Sequence, residues 1–220
     1  MKVSFEDVKN SEEIRTYIRQ ADASLTELGY TEHSFAHMTK CAETASGILT
    51  ALGYAPHEIE LARIAAFMHD IGNVVNRSDH AQSGAMMAFR ILDKMGMEPA
   101  DVASVITAIG HHDDSTAFPV NAIAAALILA DKTDVRRSRV RNKDTTNFDI
   151  HDRVNYAVER SDVTLDTEAK TVTLTLAINT DWCAVMDYFE IFLGRMLLCR
   201  KAAEFLHLSF KLEINGLALL

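Results

Sequence analysis

Leu61-Ala62-Arg63-Ile64-Ala65-Ala66-Phe67-Met68-His69-Asp70-Ile71-Gly72 is an apolar run that reads as a buried helix and ends in an imidazole and a carboxylate. A histidine suits a helix C-terminus, where the macrodipole favours a cation, but an aspartate there does not. A desolvated polar pair of this kind is costly unless something compensates it, and a metal ion suits both side chains together. Working outward, a second apolar run, Val105-Ile106-Thr107-Ala108-Ile109-Gly110, ends in His111-His112. His37, His80 and Asp131 each stand beside a further apolar helical run, Asp131 directly after Ile123 to Ala130. Counting them, His37, His69, Asp70, His80, His111, His112 and Asp131 make seven candidate ligands. Seven donors suffice for two divalent transition-metal ions.

The composition fits a folded, mainly helical chain. Of 220 residues, 48% are hydrophobic and 24% charged, with only three Pro and nine Gly, which favours long helices over a loop-rich β fold. A net charge of −9 argues against a general nucleic-acid surface, which needs clustered Lys and Arg. One basic cluster, Arg136-Arg137-Ser138-Arg139-Val140-Arg141, runs against that background. Cys41, Cys183 and Cys199 are odd in number and far apart, and read as reduced core thiols of a cytoplasmic protein. No apolar stretch has the length of a membrane span and the first residues lack a signal-peptide core.

Helices are expected over about 7–29, 31–52, 56–70, 78–94, 99–110 and 122–134, punctuated by Gly29, Gly53, Pro56, Gly96, Pro99 and Gly110. Residues 136–148 read as an exposed polar loop over the site, followed by a short helix near 150–159. Val163-Thr164-Leu165 and Thr171 to Ala177 alternate with period two and read as a hairpin. A long amphipathic helix over about 181–206 and a closing strand over 209–215 complete the chain. The expected organisation is a helical domain over 1–160 with a small α+β appendage (hairpin, long helix, closing strand) over 161–220. The Phe- and Met-rich stripe of the long helix and the hairpin edge are candidate surfaces for a homodimer.

The ordered set His37, His69-Asp70, His80, His111-His112, Asp131, with the string Met68-His69-Asp70-Ile71-Gly72, resembles the HD-domain metal-dependent phosphohydrolase superfamily in its HDIG variant. The resemblance covers about residues 30–140. It looks most like the two-metal branches, which include the HD-GYP cyclic-di-GMP phosphodiesterases and the HD proteins that hydrolyse diadenosine tetraphosphate. It implies an HD-type helical bundle in which His37, His69, Asp70 and Asp131 ring one metal. Asp70 bridges to a second metal that His80, His111 and His112 complete. Imidazole and carboxylate donors suit Fe, Mn, Zn, Ni or Co. The implied reaction is cleavage of a phosphoester or phosphoanhydride in a nucleotide-like small molecule by a metal-bridging hydroxide, with His69 and Asp70 at its centre.

Where HD-GYP enzymes commonly carry Lys after HDxG, this chain has Asn73, and the GYP segment is absent. Leaving-group protonation then falls to water, to Lys132 or to Arg77. Lys132, Arg136, Arg137, Arg139 and Arg77 are the candidates for gripping substrate phosphates. His33, one turn before His37, is a candidate substrate contact. His57, His151 and His207 fall outside the motif and are read as non-ligands, and Asp113-Asp114 as a turn. Blander readings stand beside these: His80 as a helix cap, and the basic run as a solvated loop. Two rival functions remain open, a catalytically weak metal-binding regulatory module and an HD-fold di-iron oxygenase of the myo-inositol oxygenase type.

Overall fold

The chain is seen in a computed structural model that describes residues 3–114 and 116–220. Its first helices are α1 (Phe5–Asn10) and α2 (Glu12–Glu27), where one helix is expected from the sequence. Ser11 is the cause. It adopts an extended conformation, ends α1, and accepts a hydrogen bond from the Ile14 amide at the start of α2. Then follow α3 (Phe35–Ala51), capped by Ser34 and ended before Gly53 at φ 75°, and α4 (Pro56–Met68) with proline in its first turn. A single 3-10 turn, Ile71–Val74, leads toward α5 (His80–Lys94) and α6 (Pro99–Gly110). Next comes α7 (Ala122–Lys132), whose first amides Asn121 caps.

Helix α7 is the centre of the bundle. Every residue from Ile123 to Ala130 is buried, and the helix packs against α3, α4, α6 and α9. Ala124, Ala125, Ala126 and Ala130 keep it thin, so neighbouring helices can surround it. The segment expected as an exposed loop over 136–148 is tied down instead, through 3-10 turns at Arg137–Arg139 and Thr145–Asn147. Buried Arg139 donates to the carbonyls of Asp134 (2.7 Å) and Glu32 (2.9 Å), which fixes this segment against the start of α3.

After α8 (Ile150–Ala157), β1 (Val158–Asp166) and β2 (Thr171–Ile178) form an antiparallel hairpin. The first strand begins five residues before the expected one and spans residue 160. The long helix α9 (Val185–Phe205) then crosses over, so that β3 (Ser209–Ile214) pairs with β2 in parallel. A short β4 (Leu217–Ala218) turns back across Asn215-Gly216, both at positive φ. The sheet order is β1-β2-β3-β4. Val172, Leu174, Leu176 and Ile178 of β2 share the buried face with Phe210, Leu212 and Ile214 of β3. Of the stripe expected on α9, Phe192, Met196 and Ala203 are buried while Met186 and Leu197 stay exposed. The result is a mainly α fold with a small C-terminal α+β appendage. Among the described residues no helix is long and apolar enough to cross a membrane, and Cys41, Cys183 and Cys199 are free thiols in the interior.

The 3-10 turn and α5 meet at two glycines. A methyl group on Gly72 would lie 2.0 Å from the His80 carbonyl oxygen and 2.5 Å from the Gly84 nitrogen, both backbone atoms. On Gly84 the nearest atom would be Gly72 N at 3.2 Å. This approach carries His80 toward Asp70. We expect Gly72→Ala to lower stability by about 3 kcal/mol through forced backbone separation, and Gly84→Ala by clearly less. Urea unfolding of both variants measures this, and an unaltered midpoint for Gly72→Ala would refute so close an approach.

Candidate metal centre

Each helix end delivers one or two polar groups to a common point in the core. The α4 terminus supplies His69 and Asp70, α3 supplies His37, the first residue of α5 is His80, the end of α6 gives His112, and α7 gives Asp131. His37, His69, Asp70, His80 and His112 are all buried, and Asp131 is nearly so.

The hydrogen bonds of the four rings fix their tautomers. His69 Nδ1 donates to the Ala66 carbonyl at 2.8 Å, His80 Nδ1 to Arg77 at 3.0 Å, and His112 Nδ1 to Ile109 at 2.6 Å. His37 Nδ1 donates to Asp134 Oδ2 at 2.7 Å. With Nδ1 as the donor, each neutral ring presents the bare lone pair of Nε2. Those four lone pairs converge on acceptors. His37 Nε2 lies 3.3 Å from Asp131 Oδ1, and His69 Nε2 lies 3.3 Å from Asp70 Oδ2 and 3.8 Å from Asp131 Oδ1. His80 Nε2 lies 3.2 Å from Asp70 Oδ1 and 3.2 Å from His112 Nε2. His69 Nε2 has no hydrogen-bond partner at all although it is buried. Lone pairs facing lone pairs and carboxylates at a buried site are relieved by a positive charge between them. The donor set fits a divalent metal.

Asp70 divides the cluster. Its Oδ2 faces His37 (3.9 Å) and His69, while its Oδ1 faces His80 and His112 (3.7 Å). Asn73 steadies it, donating from Nδ2 to both Oδ1 and the backbone carbonyl of Asp70 at 2.9 Å. Arg77 in turn donates to Asn73 Oδ1 at 3.2 Å. His111 stands apart. Its Nδ1 bonds the Thr107 carbonyl at 2.9 Å, because adjacent residues at a helix end project in different directions and only His112 turns inward. Cys41 Sγ lies 3.7 Å from His37 Nε2, but burial, reinforced by Asp131 and Asp134, pushes its thiol well above the usual range. It stays protonated.

A cavity of about 540 Å³ opens over the cluster. Asp70, His80, His112, Asp131, Lys132, Arg77 and His33 of the expected site line it. Burial, with Arg139 nearby, holds His33 well below the usual histidine range, and its Nδ1 bonds the Thr31 carbonyl. Burial opposes charge on Lys132, yet Asp131 (2.7 Å) and Asp114 (3.1 Å) outweigh it and hold the ammonium above its ordinary value. Arg136 and Arg137 do not reach the cavity. The first is engaged by Asp134 and Glu32, the second by the Tyr156 carbonyl and Glu159.

Sequence reading missed several residues here. Asp134, three residues after Asp131, carried a helical spacing signal. Arg139, a candidate from the basic run, lines the cavity; Tyr30, His151, Asn155, Phe192 and Arg195 also line it and, scattered over the chain, carried no signal.

Residues 34–141 match the family model of the HD domain. This matched segment is a little under half of the chain. It contains all six converging side chains together with Arg77 and Lys132, whereas Asn155, Phe192 and Arg195 lie beyond it. No curated protein matches the chain. Among solved structures, the chain is similar to a predicted HD superfamily hydrolase from an uncultured Thermotogales bacterium. The two are 28% identical over 56% of this chain and 67% of that one, with a TM-score of 0.45.

A proton on one of these rings can do part of the work of a cation. Burial disfavours charge on His69, but Asp70 and Asp131 outweigh it and raise its proton affinity. A raised group contributes stability below its unfolded value that is lost as pH rises through the folded value. A metal competing for the same Nε2 is therefore favoured as pH rises. We expect the gain in melting temperature on adding Mn²⁺ to chelator-stripped protein to be larger at pH 8 than at pH 6. Equal gains at both pH values, or none, would count against ligation through His69.

Proposed function

We propose that this chain is a metal-dependent phosphohydrolase that cleaves a phosphoester or phosphoanhydride of a nucleotide-like small molecule. The observation that carries this reading is the convergence of four imidazole lone pairs and two carboxylates on the floor of a cation-lined cavity. The residues that would hold one ion are His37, His69, Asp131 and Asp70 through Oδ2. Those for a second are His80, His112 and Asp70 through Oδ1, with His111 outside both sets. Two divalent transition-metal ions (Fe, Mn, Zn, Ni or Co), when bound, supply Lewis-acid polarisation of a phosphoryl group and an acidified water.

The protein's own residues account for the rest. Lys132, held in its charged form by Asp131 and Asp114, is suited to stabilising charge on a phosphoryl oxygen more than to giving up a proton. Arg77 stands 3.9 Å from Asp70 Oδ1 and brings a fixed cation to the place where Asn73 replaces the lysine of HD-GYP enzymes. Asn73 orients the Asp70 carboxylate instead. The Arg77 guanidinium also lies 5.5 Å over the half-exposed ring of Tyr30 at the cavity wall, an aromatic face suited to a base. His33, neutral and with Nδ1 committed, offers Nε2 as an acceptor for a substrate hydroxyl or a water. Three buried free thiols support a reducing, cytoplasmic setting.

Two measurements test the reading together: elemental analysis of protein purified without chelators, and chromatographic detection of hydrolysis products from a panel of nucleotides and dinucleotides. The expected result is close to two metal ions per chain, with turnover of at least one substrate. Asp70→Asn should lose both metal and activity, and Lys132→Ala should keep metal while kcat falls by about a hundredfold. Folded, metal-replete protein that hydrolyses no panel member would overturn the hydrolase reading and favour the regulatory one.

A further inference from the structure

Arg195 stands on α9, outside the residues that match the HD domain, yet it lines the same cavity as Lys132. Its Nε donates to Asp114 Oδ2 at 3.0 Å, while Lys132 Nζ lies 3.1 Å from Asp114 Oδ1. One carboxylate therefore occupies two cations, one oxygen apiece. That is the spacing in which a phosphoryl group presents two of its oxygens. The Arg195 guanidinium lies 4.6 Å over the ring of Phe192, itself buried and on the cavity wall. Stacked in this way, its N–H donors remain free to bond acceptors in the guanidinium plane.

The two anions that hold this pair differ in exposure. Lys132 and Asp131 meet at 2.7 Å with side chains that are 6% and 13% exposed. Asp114 is 42% exposed, where an ion pair is weak and water competes for the carboxylate. An anion that enters the cavity meets Lys132 and Arg195 already aligned and has only an exposed carboxylate to displace.

We propose that Arg195 is a substrate-binding residue of the cavity, and that Asp114 is the internal anion it exchanges for a substrate phosphate. This rests on the phosphohydrolase reading and extends it. The anion site is shared between Lys132 of the HD domain and Arg195 of the C-terminal appendage, so the appendage completes the binding site.

The test is calorimetric titration of inorganic phosphate into the metal-loaded full chain, for the parent and for Asp114→Asn, Arg195→Gln and Arg195→Lys. Removing the competing carboxylate should tighten phosphate binding, and removing the guanidinium should weaken it by about tenfold. Arg195→Lys should fall between parent and Arg195→Gln, and it carries the comparison if the glutamine variant fails to fold. A purely structural tie between α9 and the loop predicts that both Asp114→Asn and Arg195→Gln shift phosphate affinity in the same direction. That outcome overturns the proposal, as does Arg195→Gln binding phosphate as the parent does. A parent that binds no phosphate overturns the phosphohydrolase reading itself, which distinguishes the two failures.

Discussion

Four imidazoles turned toward one carboxylate set the terms for the rest of this structure. Each ring is fastened at Nδ1 to a carbonyl or carboxylate of the scaffold, so the opposite nitrogen has nowhere to turn. Buried among helices, this arrangement is repulsive when left to itself, and the fold sustains it because packing over-determines each ring. Polar groups that would destabilise an ordinary core are gathered so that one kind of guest, a cation, relieves them all.

The scaffold meets this demand through close backbone approach and thin packing. Gly72 and Gly84 let a helix start abut a 3-10 turn, which places His80 within reach of Asp70. The alanines of α7 allow four helices to gather around one axis, so that Asp131 arrives at the same point from a fifth direction. Asp134 and Asn73 do not themselves line the cavity, yet they hold His37 and Asp70 in register. Orientation of this kind adds to the affinity of a metal site.

The parts of this arrangement that were legible in the sequence share one property. His69-Asp70, His112 and Asp131 interrupt or end apolar helical runs, and a polar residue in an apolar run is visible without a structure. Pro56, Pro99 and Gly53 marked helix ends because their backbones leave few alternatives. His111 and His112 looked equivalent because their difference is one of direction, decided by the last turn of α6. Arg136 and Arg137 looked like phosphate ligands because a basic run carries no record of the acidic partners, Glu32, Asp134 and Glu159, that engage it. The cavity walls of α8 and α9 were invisible, since long-range packing alone brings them to the helices that carry the polar cluster. Strand β4 was missed despite a local signal, the Asn215-Gly216 turn dipeptide.

The parallel pairing of β2 with β3 has a consequence for the order in which the chain folds. Thr171 pairs with Ser209 only after α9 has been laid across the bundle, so the sheet cannot close through local contacts as a hairpin does. The helices that carry the six polar side chains close a larger loop still, since His37 and Asp134 stand 97 residues apart. Until α9 is in place, α7 is bare on the side that α9 covers, and the cavity has no C-terminal wall. The pocket is therefore complete only when the crossover is docked, which makes ligand protection a reporter of α9 docking.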